Sequence, residues 1–236
     1  MNASVRFTRA GAWRGARASA GLLIATVPFG MVTGIAAQGA GLSLVEATAM
    51  SATVFAGAAQ IVAMSHWTHP AGFLAALFTT LAINSRLLLL GPVLAPWLGR
   101  LRRWQRLVSL GLMADQNWAM SVREMNAGGD DAGFLLGTGL ALWLVWLLTT
   151  IMGFLAGGLL HPPADHPLFF SALATFIALL VQMWRGGRDV LPWLVAAAVA
   201  VVVARLLPGG GWHVIAGAVA GSLTGAARDA RRGALP

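Results

Sequence analysis

Charge is almost absent from two long stretches of this chain. Between Arg17 and Arg100 the only Asp, Glu, Lys or Arg residues are Glu46 and Arg86, and none falls between Asp131 and Asp165. Each stretch has room for membrane spans of about 20 residues. A soluble domain carries charge on roughly a quarter of its residues, whereas here 10% are charged, 58% are hydrophobic and the mean hydropathy is +0.74. The chain therefore reads as an integral membrane protein. Only closed backbone hydrogen bonding survives in hydrocarbon, and no alternating ten-residue barrel pattern is present, so the fold class is all-α, a polytopic helical bundle.

Apolar segments fall at roughly 18–40, 44–64, 71–95, 107–122, 133–160, 167–184, 190–207 and 211–227. All 16 cationic residues are arginine, and most sit in short clusters flanking these segments, as in cytoplasmic loops. Placing Arg6, Arg9, Arg14 and Arg17, the cluster Arg100 to Arg106, Arg185 with Arg188, and Arg228 to Arg232 inside gives four clean crossings from 133 to 227. It also demands an even number of crossings from 18 to 99, where three segments lie. The expectation is about six full crossings plus two re-entrant or broken segments, 44–64 and 107–122; the alternative is seven or eight crossings. The run from Ala18 to Val45 is too long for a signal-peptide core and reads as a retained first span. The predicted organisation is a cytoplasmic segment 1–17, one transmembrane unit 18–227 and a cytoplasmic tail 228–236.

The motifs "AAQIVAM" at 58–64 and "ADQNWAM" at 114–120 share the pattern A-x-Q-x-x-A-M, in the two segments that charge parity singles out. In so alanine-rich a chain a chance match competes with an internal repeat. Gly30 and Gly34, Gly153 and Gly157, and Gly217, Gly221 and Gly225 stand four apart, a spacing that lets helix backbones approach closely.

Nothing points to catalysis. There is no cysteine, no H-x-x-x-H or H-E-x-x-H pair, no phosphate-cradling loop and no paired carboxylates, and His66 with His69, three apart, is the one spacing that could chelate. His66 and His69 read as loop residues beside Trp67 and Pro70. We expect no enzyme, no metal, no cofactor and no nucleic-acid partner. Polar residues inside apolar segments are few: Gln60, Asn84, Arg86, Asp115, Gln116, Asn117 and Gln182. Intramembrane charges normally face a bundle interior and pair, which makes Arg86 and Asp115 the expected pair, with snorkelling of Arg86 as the alternative. In "TVPFGMVTG" Pro28 and Gly30 predict a helix break that exposes N–H and C=O ends for a zwitterion, against a simple packing kink. Gly57 in "VFAGAAQ" marks a second interruption. Trp118, Trp143 and Trp146 lie deep, where helix or lipid contact leads and a cavity wall is the alternative.

The "PFG" of the first span, "GLSLVEATAMSATVFAGAAQ", "INSR", "ADQNWA" and "LLGTGLALWLVWLLTTIMG", in that order, resemble the AzlC family of branched-chain amino acid permeases. The resemblance implies a subunit exporting branched-chain or other apolar amino acids as a secondary transporter, with a small AzlD-type membrane partner. It also implies a bacterial inner membrane location, and charge placement puts both termini in the cytoplasm. Family members often read D/N-x-R-H where this chain has Asn84 to Leu87, and D-E at Asp115-Gln116. The arginine and aspartate carry over, whereas the histidine and second acid do not. The candidate substrate site is thus Pro28, Gly30, Gly57, Gln60, Asn84, Arg86, Asp115, Gln116 and Asn117. The rival reading is a non-transporting assembly subunit in which Arg86 and Asp115 form a structural ion pair.

Overall fold

A computed structural model describes residues 5–65, 77, 80–81, 84, 86–160, 177, 181, 184, 186–207 and 212–231. Helices account for its regular structure, and strand-like pairing among the described residues is confined to one bridge between Arg6 and Asp131. The helices are α1 (Arg9–Ala18), α2 (Ala20–Gly39), α3 (Leu44–Val54), α4 (Gly57–Ser65), α5 (Arg86–Leu90), α6 (Ala95–Leu98), α7 (Arg103–Gly111), α8 (Asp115–Asn126), α9 (Gly133–Leu160), α10 (Gly187–Leu206) and α11 (Trp212–Arg231). A 3₁₀ turn, Gly91–Leu94, joins α5 to α6. Three of them, α2, α9 and α10, are long and apolar enough to cross a membrane.

The sequence patterns explain these boundaries. Ser43 and Glu46 form a capping box at the start of α3: the Ser43 hydroxyl accepts from the Glu46 N–H at 3.2 Å, and the Glu46 carboxylate accepts from the Ser43 N–H at 2.7 Å. One of the two charges in the 18–99 stretch is thereby accounted for. Segment 44–64 is interrupted as expected, since α3 stops at Val54 and α4 begins at Gly57. Segment 107–122 is also broken, between α7 and α8 at Leu112, Met113 and Ala114.

The expected break at Pro28 is corrected. Helix α2 runs unbroken from Ala20 to Gly39 with Pro28 inside it. Proline removes a single i→i−4 bond, here the one that the Ile24 carbonyl would accept. The turns that follow are held by packing, because Phe29, Gly30, Thr33, Gly34 and Ala37 are all buried. Pro28 therefore exposes no pair of helix ends.

Helix α9 organises the rest. A Cβ added to Gly34 would lie 2.0 Å from the Thr150 carbonyl oxygen, and one added to Gly153 would lie 2.0 Å from that of Met31, so α2 and α9 touch backbone to backbone. Helix α1 joins the same axis, with the Ala12 carbonyl oxygen 1.8 Å from a Cβ at Gly137. The predicted four-residue glycine spacing is this seam. It recurs where Gly217 and Gly221 of α11 meet Ala196 of α10. Outward from the seam, Leu140, Leu144, Leu148, Met152, Leu155 and Leu159 of α9 are exposed at helical spacing, a face fit for lipid.

The first residues do more than trail into solvent. The Arg6 N–H donates to the Asp130 carbonyl at 2.7 Å, and Ala132 N–H to the Arg6 carbonyl at 2.9 Å. Buried Asp131 accepts from the Thr8 hydroxyl, the Thr8 N–H and the Gly133 N–H, tying the starts of α1 and α9 together.

Candidate site at two interrupted helices

The first interruption is held open by strain and by amide chemistry. Phe55 adopts a left-handed conformation with φ 45° and ψ 38°, which costs a non-glycine residue about 1–2 kcal/mol. Beyond it, Gly57 starts α4 in a gap that no side chain fits: its Cβ would lie 2.6 Å from both the Phe29 and the Trp146 rings. Those rings meet edge to face at 5.3 Å. Gln60, 1% exposed, donates to the Ser51 hydroxyl at 2.8 Å and accepts from the Trp146 indole at 3.1 Å. The Trp143 indole donates to the Ala52 carbonyl at 2.9 Å, an acceptor that the early end of α3 leaves without a helical partner.

The second interruption repeats this device with other residues. Buried Asn117 accepts from the Ala114 N–H at 2.7 Å and donates to the Leu112 carbonyl at 2.9 Å, bracing both edges of the break. It sits against Gly139 of α9, where a Cβ would lie 2.6 Å from the Leu112 carbonyl oxygen and 2.7 Å from Asn117 Nδ2. On a helix of 3.6 residues per turn, Gly139, Trp143 and Trp146 fall within about 60° of one another over roughly 10 Å of axis. Both breaks therefore meet one face of α9.

The structure gathers Gly30, Gly57 and Gln60 around Trp146 and Thr149, since Gly30 packs so closely on Thr149 that a Cβ would lie 2.0 Å from its hydroxyl. It places Asn117 about two turns away along α9. Pro28 lies in an unbroken turn, one residue from the buried Phe29 ring. Asp115 and Gln116 are half-buried in the first turn of α8, where a carboxylate suits the helix dipole. The Asn84 Oδ1 is buried and accepts no hydrogen bond among the described residues. Arg86 opens α5, but its side chain lies outside the described residues, as do Gln182, His66 and His69, so the expected pairing with Asp115 is not on view. One hydrogen bond links the two helices that carry these positions. The Trp118 indole donates to the Leu90 carbonyl at 2.9 Å, and Arg86 and Asp115 each stand about one helical turn from that bond.

Sequence reading missed the residues that fasten the breaks: Ser51, Phe29, Thr149 and Gly139. The three deep tryptophans were the available signal. Each donates its indole N–H to a group beside an irregular stretch, Trp143 and Trp146 at the first interruption and Trp118 where α5 gives way to the 3₁₀ turn. Helix contact, the leading expectation for them, is what the structure shows.

The fold and site define an all-α membrane protein with interrupted helices packed on a central span. A family model described as AzlC protein matches residues 21–160. The chain is 31% identical over 204 residues to an uncharacterised membrane protein of Archaeoglobus fulgidus, covering 86% of this chain and 88% of that one. It is 24% identical over 216 residues to the inner membrane protein YgaZ of Escherichia coli, covering 89% and 87% respectively. No solved structure matches. The chain belongs to the AzlC family, and its role is that of a transporter-related membrane protein.

Proposed function

We propose that this chain is the large subunit of a secondary transporter that exports branched-chain or other apolar amino acids. It works with a small AzlD-type partner in the bacterial inner membrane, both termini cytoplasmic. The observation that carries this reading is the meeting of two interrupted helices on one face of α9. The first-turn N–H groups of α4, at Gly57, Ala58 and Ala59, precede the first helical bond, from Gln60 N–H to the Ala56 carbonyl. Such groups suit a substrate carboxylate, with Arg86 as its charged partner. Asp115 serves the ammonium. Phe29 and Trp146 offer the side chain an apolar wall, which discriminates weakly, because one methylene is worth only about 1–3 kcal/mol. Gln60 and Asn117, both bonded to protein on each side of their amides, act by positioning the breaks. Asn84, with a buried oxygen awaiting a donor, is the amide left to meet substrate.

The test is efflux of labelled leucine, valine and methionine from vesicles holding this chain with and without its partner, under imposed proton gradients. Gradient-dependent flux of these amino acids is expected, and its absence for all of them overturns the proposal. The engagement of Gln60 and Asn117 with protein favours one rival, a structural subunit in which Arg86 and Asp115 form a fixed ion pair. Exchanging the two charges, Arg86→Asp with Asp115→Arg, separates them. A folded protein without flux supports the substrate role, whereas folding with full flux supports the structural one.

A further inference from the structure

Helix α7 does not resemble its neighbours. At about 100° per residue, Leu107, Trp104 and Val108 occupy one sector roughly 100° wide, and Arg103 and Arg106 occupy the sector beside it. Gln105 and Ser109 face the opposite way. The first two sectors are exposed, and Ser109 is fully buried. A short helix with an apolar sector and a basic sector side by side, both facing away from the protein, has the pattern of a helix lying in a membrane interface. In such a helix the apolar side chains reach the acyl boundary while the guanidinium groups stand at headgroup depth.

Helix α1 extends the same surface. Gly11 and Gly15 press inward on Asp131 and Phe134, which turns Arg9, Trp13 and Arg17 outward. Trp13 is 65% exposed, an unusual position for so large a ring unless a lipid interface receives it. Phe7, just before α1, meets the Trp104 ring edge on at 6.0 Å and joins the two helices. Two cations of this surface are paired. Arg6 is paired with Asp130 and Arg14 stands 3.6 Å from Glu124. Among the described residues no carboxylate lies within ion-pair distance of Arg9, Arg17, Arg102, Arg103 or Arg106.

We infer that α1 and α7 together form a docking surface for anionic phospholipid, with Arg102, Arg103 and Arg106 as its phosphate-binding edge and Trp13, Trp104 and Leu107 as its apolar floor. Charge selects the lipid: five guanidinium groups with no carboxylate partner among the described residues, beside exposed tryptophans, favour a headgroup of net negative charge over a zwitterionic one. The surface is separate from the transport reading, which concerns the buried face of α9, so either can fail alone. It also leads directly through Leu112 to Ala114 into Asp115.

The experiment is reconstitution of the full chain into mixed vesicles carrying trace spin-labelled phosphatidylglycerol or phosphatidylcholine, with the motionally restricted fraction of each label read by electron paramagnetic resonance. Wild-type protein should retain phosphatidylglycerol preferentially at low salt and lose most of that preference in 0.5 M salt, where the Debye length is only roughly 4 Å. Arg102→Gln/Arg103→Gln/Arg106→Gln should remove most of the preference, while the matching triple lysine variant retains it. Equal retention of the two labels by wild type overturns the proposal, as does a preference unchanged in the glutamine variant. If the glutamine variant fails to reconstitute, the salt titration of wild type decides, since a preference indifferent to salt overturns it as well.

Discussion

Replacing Gly34 by alanine tests whether α2 and α9 are in backbone contact. The added Cβ would lie 2.0 Å from the Thr150 carbonyl oxygen, 2.5 Å from the Phe154 nitrogen and 2.9 Å from the Gly153 carbonyl carbon. All three are main-chain atoms of a helix that cannot swing aside as a side chain can. Relief requires the helices to part by about 1 Å or more, since carbon contacts are comfortable only near 3.5–4.0 Å. A gap of that size forfeits a quarter to a half of the dispersion energy of the contacts it opens, in a setting where lipid supplies no hydrophobic drive to restore them. Overpacking of this kind costs about 1–3 kcal/mol, and the clash with backbone on both sides of one residue places Gly34→Ala near the upper figure. For a chain of this size that corresponds to a fall of about 6–12 °C in the unfolding midpoint. Gly21→Ala is the control, because nothing lies within 4 Å of its Cβ. It should be neutral or gain up to about 1 kcal/mol from helix propensity. Thermal unfolding of the detergent-solubilised variants, followed by circular dichroism, reads both. A Gly34→Ala midpoint within 1 °C of wild type, or a Gly21→Ala loss equal to that of Gly34→Ala, would refute the close seam; those tolerances are about the resolution at which 0.5 kcal/mol becomes visible.

Two further outcomes follow from the hydrogen bonds. Gln60→Leu leaves the Ser51 hydroxyl and the Trp146 indole without their partner, at about 1–3 kcal/mol for each buried orphan. In a double-mutant cycle with Trp146→Phe, denaturant unfolding should show a coupling of about 0.6–1.7 kcal/mol, and strict additivity would contradict the bond. The Arg6–Asp130 pair makes the N-terminal latch sensitive to acid. The hydrogen bond from Arg6 holds the Asp130 carboxyl below its ordinary value, so its contribution is present above the unfolded value, near 4, and is lost as pH falls through the lower folded value. Both groups are exposed, so the effect is local. Amide protection at Arg6 and Ala132, corrected for intrinsic exchange, should decline below about pH 4 in wild type and show no such step in Asp130→Asn.

The helical membrane class, and the limits of α2, α9 and α10 to within about three residues, were legible because hydrocarbon punishes charge so heavily that its absence marks each span. Residues 133–160 read the same in sequence and structure. The interruption near Gly57 was legible too, as a run of small residues ending in an amide. Pro28 misled, because a proline's local cost is visible in sequence whereas the packing of Phe29, Gly30 and Gly34 on α9, which overrides it, is a long-range fact. The limits 107–122 straddled a break for a related reason. Leu107 and Val108 look like the opening of a span, yet they are the exposed sector of α7, and the break itself rests on Asn117 meeting Gly139, 22 positions along the chain. Helix α1 escaped notice because its packing face is glycine, which carries no hydropathy signal. The partners of Gln60 were invisible likewise: an amide in an apolar run announces that it must be satisfied, without saying by which residue.

The transport proposal requires an apolar amino acid to meet the protein at the Gly57 interruption. Efflux of labelled leucine from vesicles containing the chain and its small partner, compared between wild type and Gly57→Ala, tests it most directly. The alanine methyl would lie 2.6 Å from the Phe29 and Trp146 rings and push them aside, so saturable efflux is expected in wild type and a loss of about tenfold or more in the variant, about 1.4 kcal/mol of displaced binding geometry, with folding retained by circular dichroism. Wild-type efflux from a folded Gly57→Ala protein would contradict it.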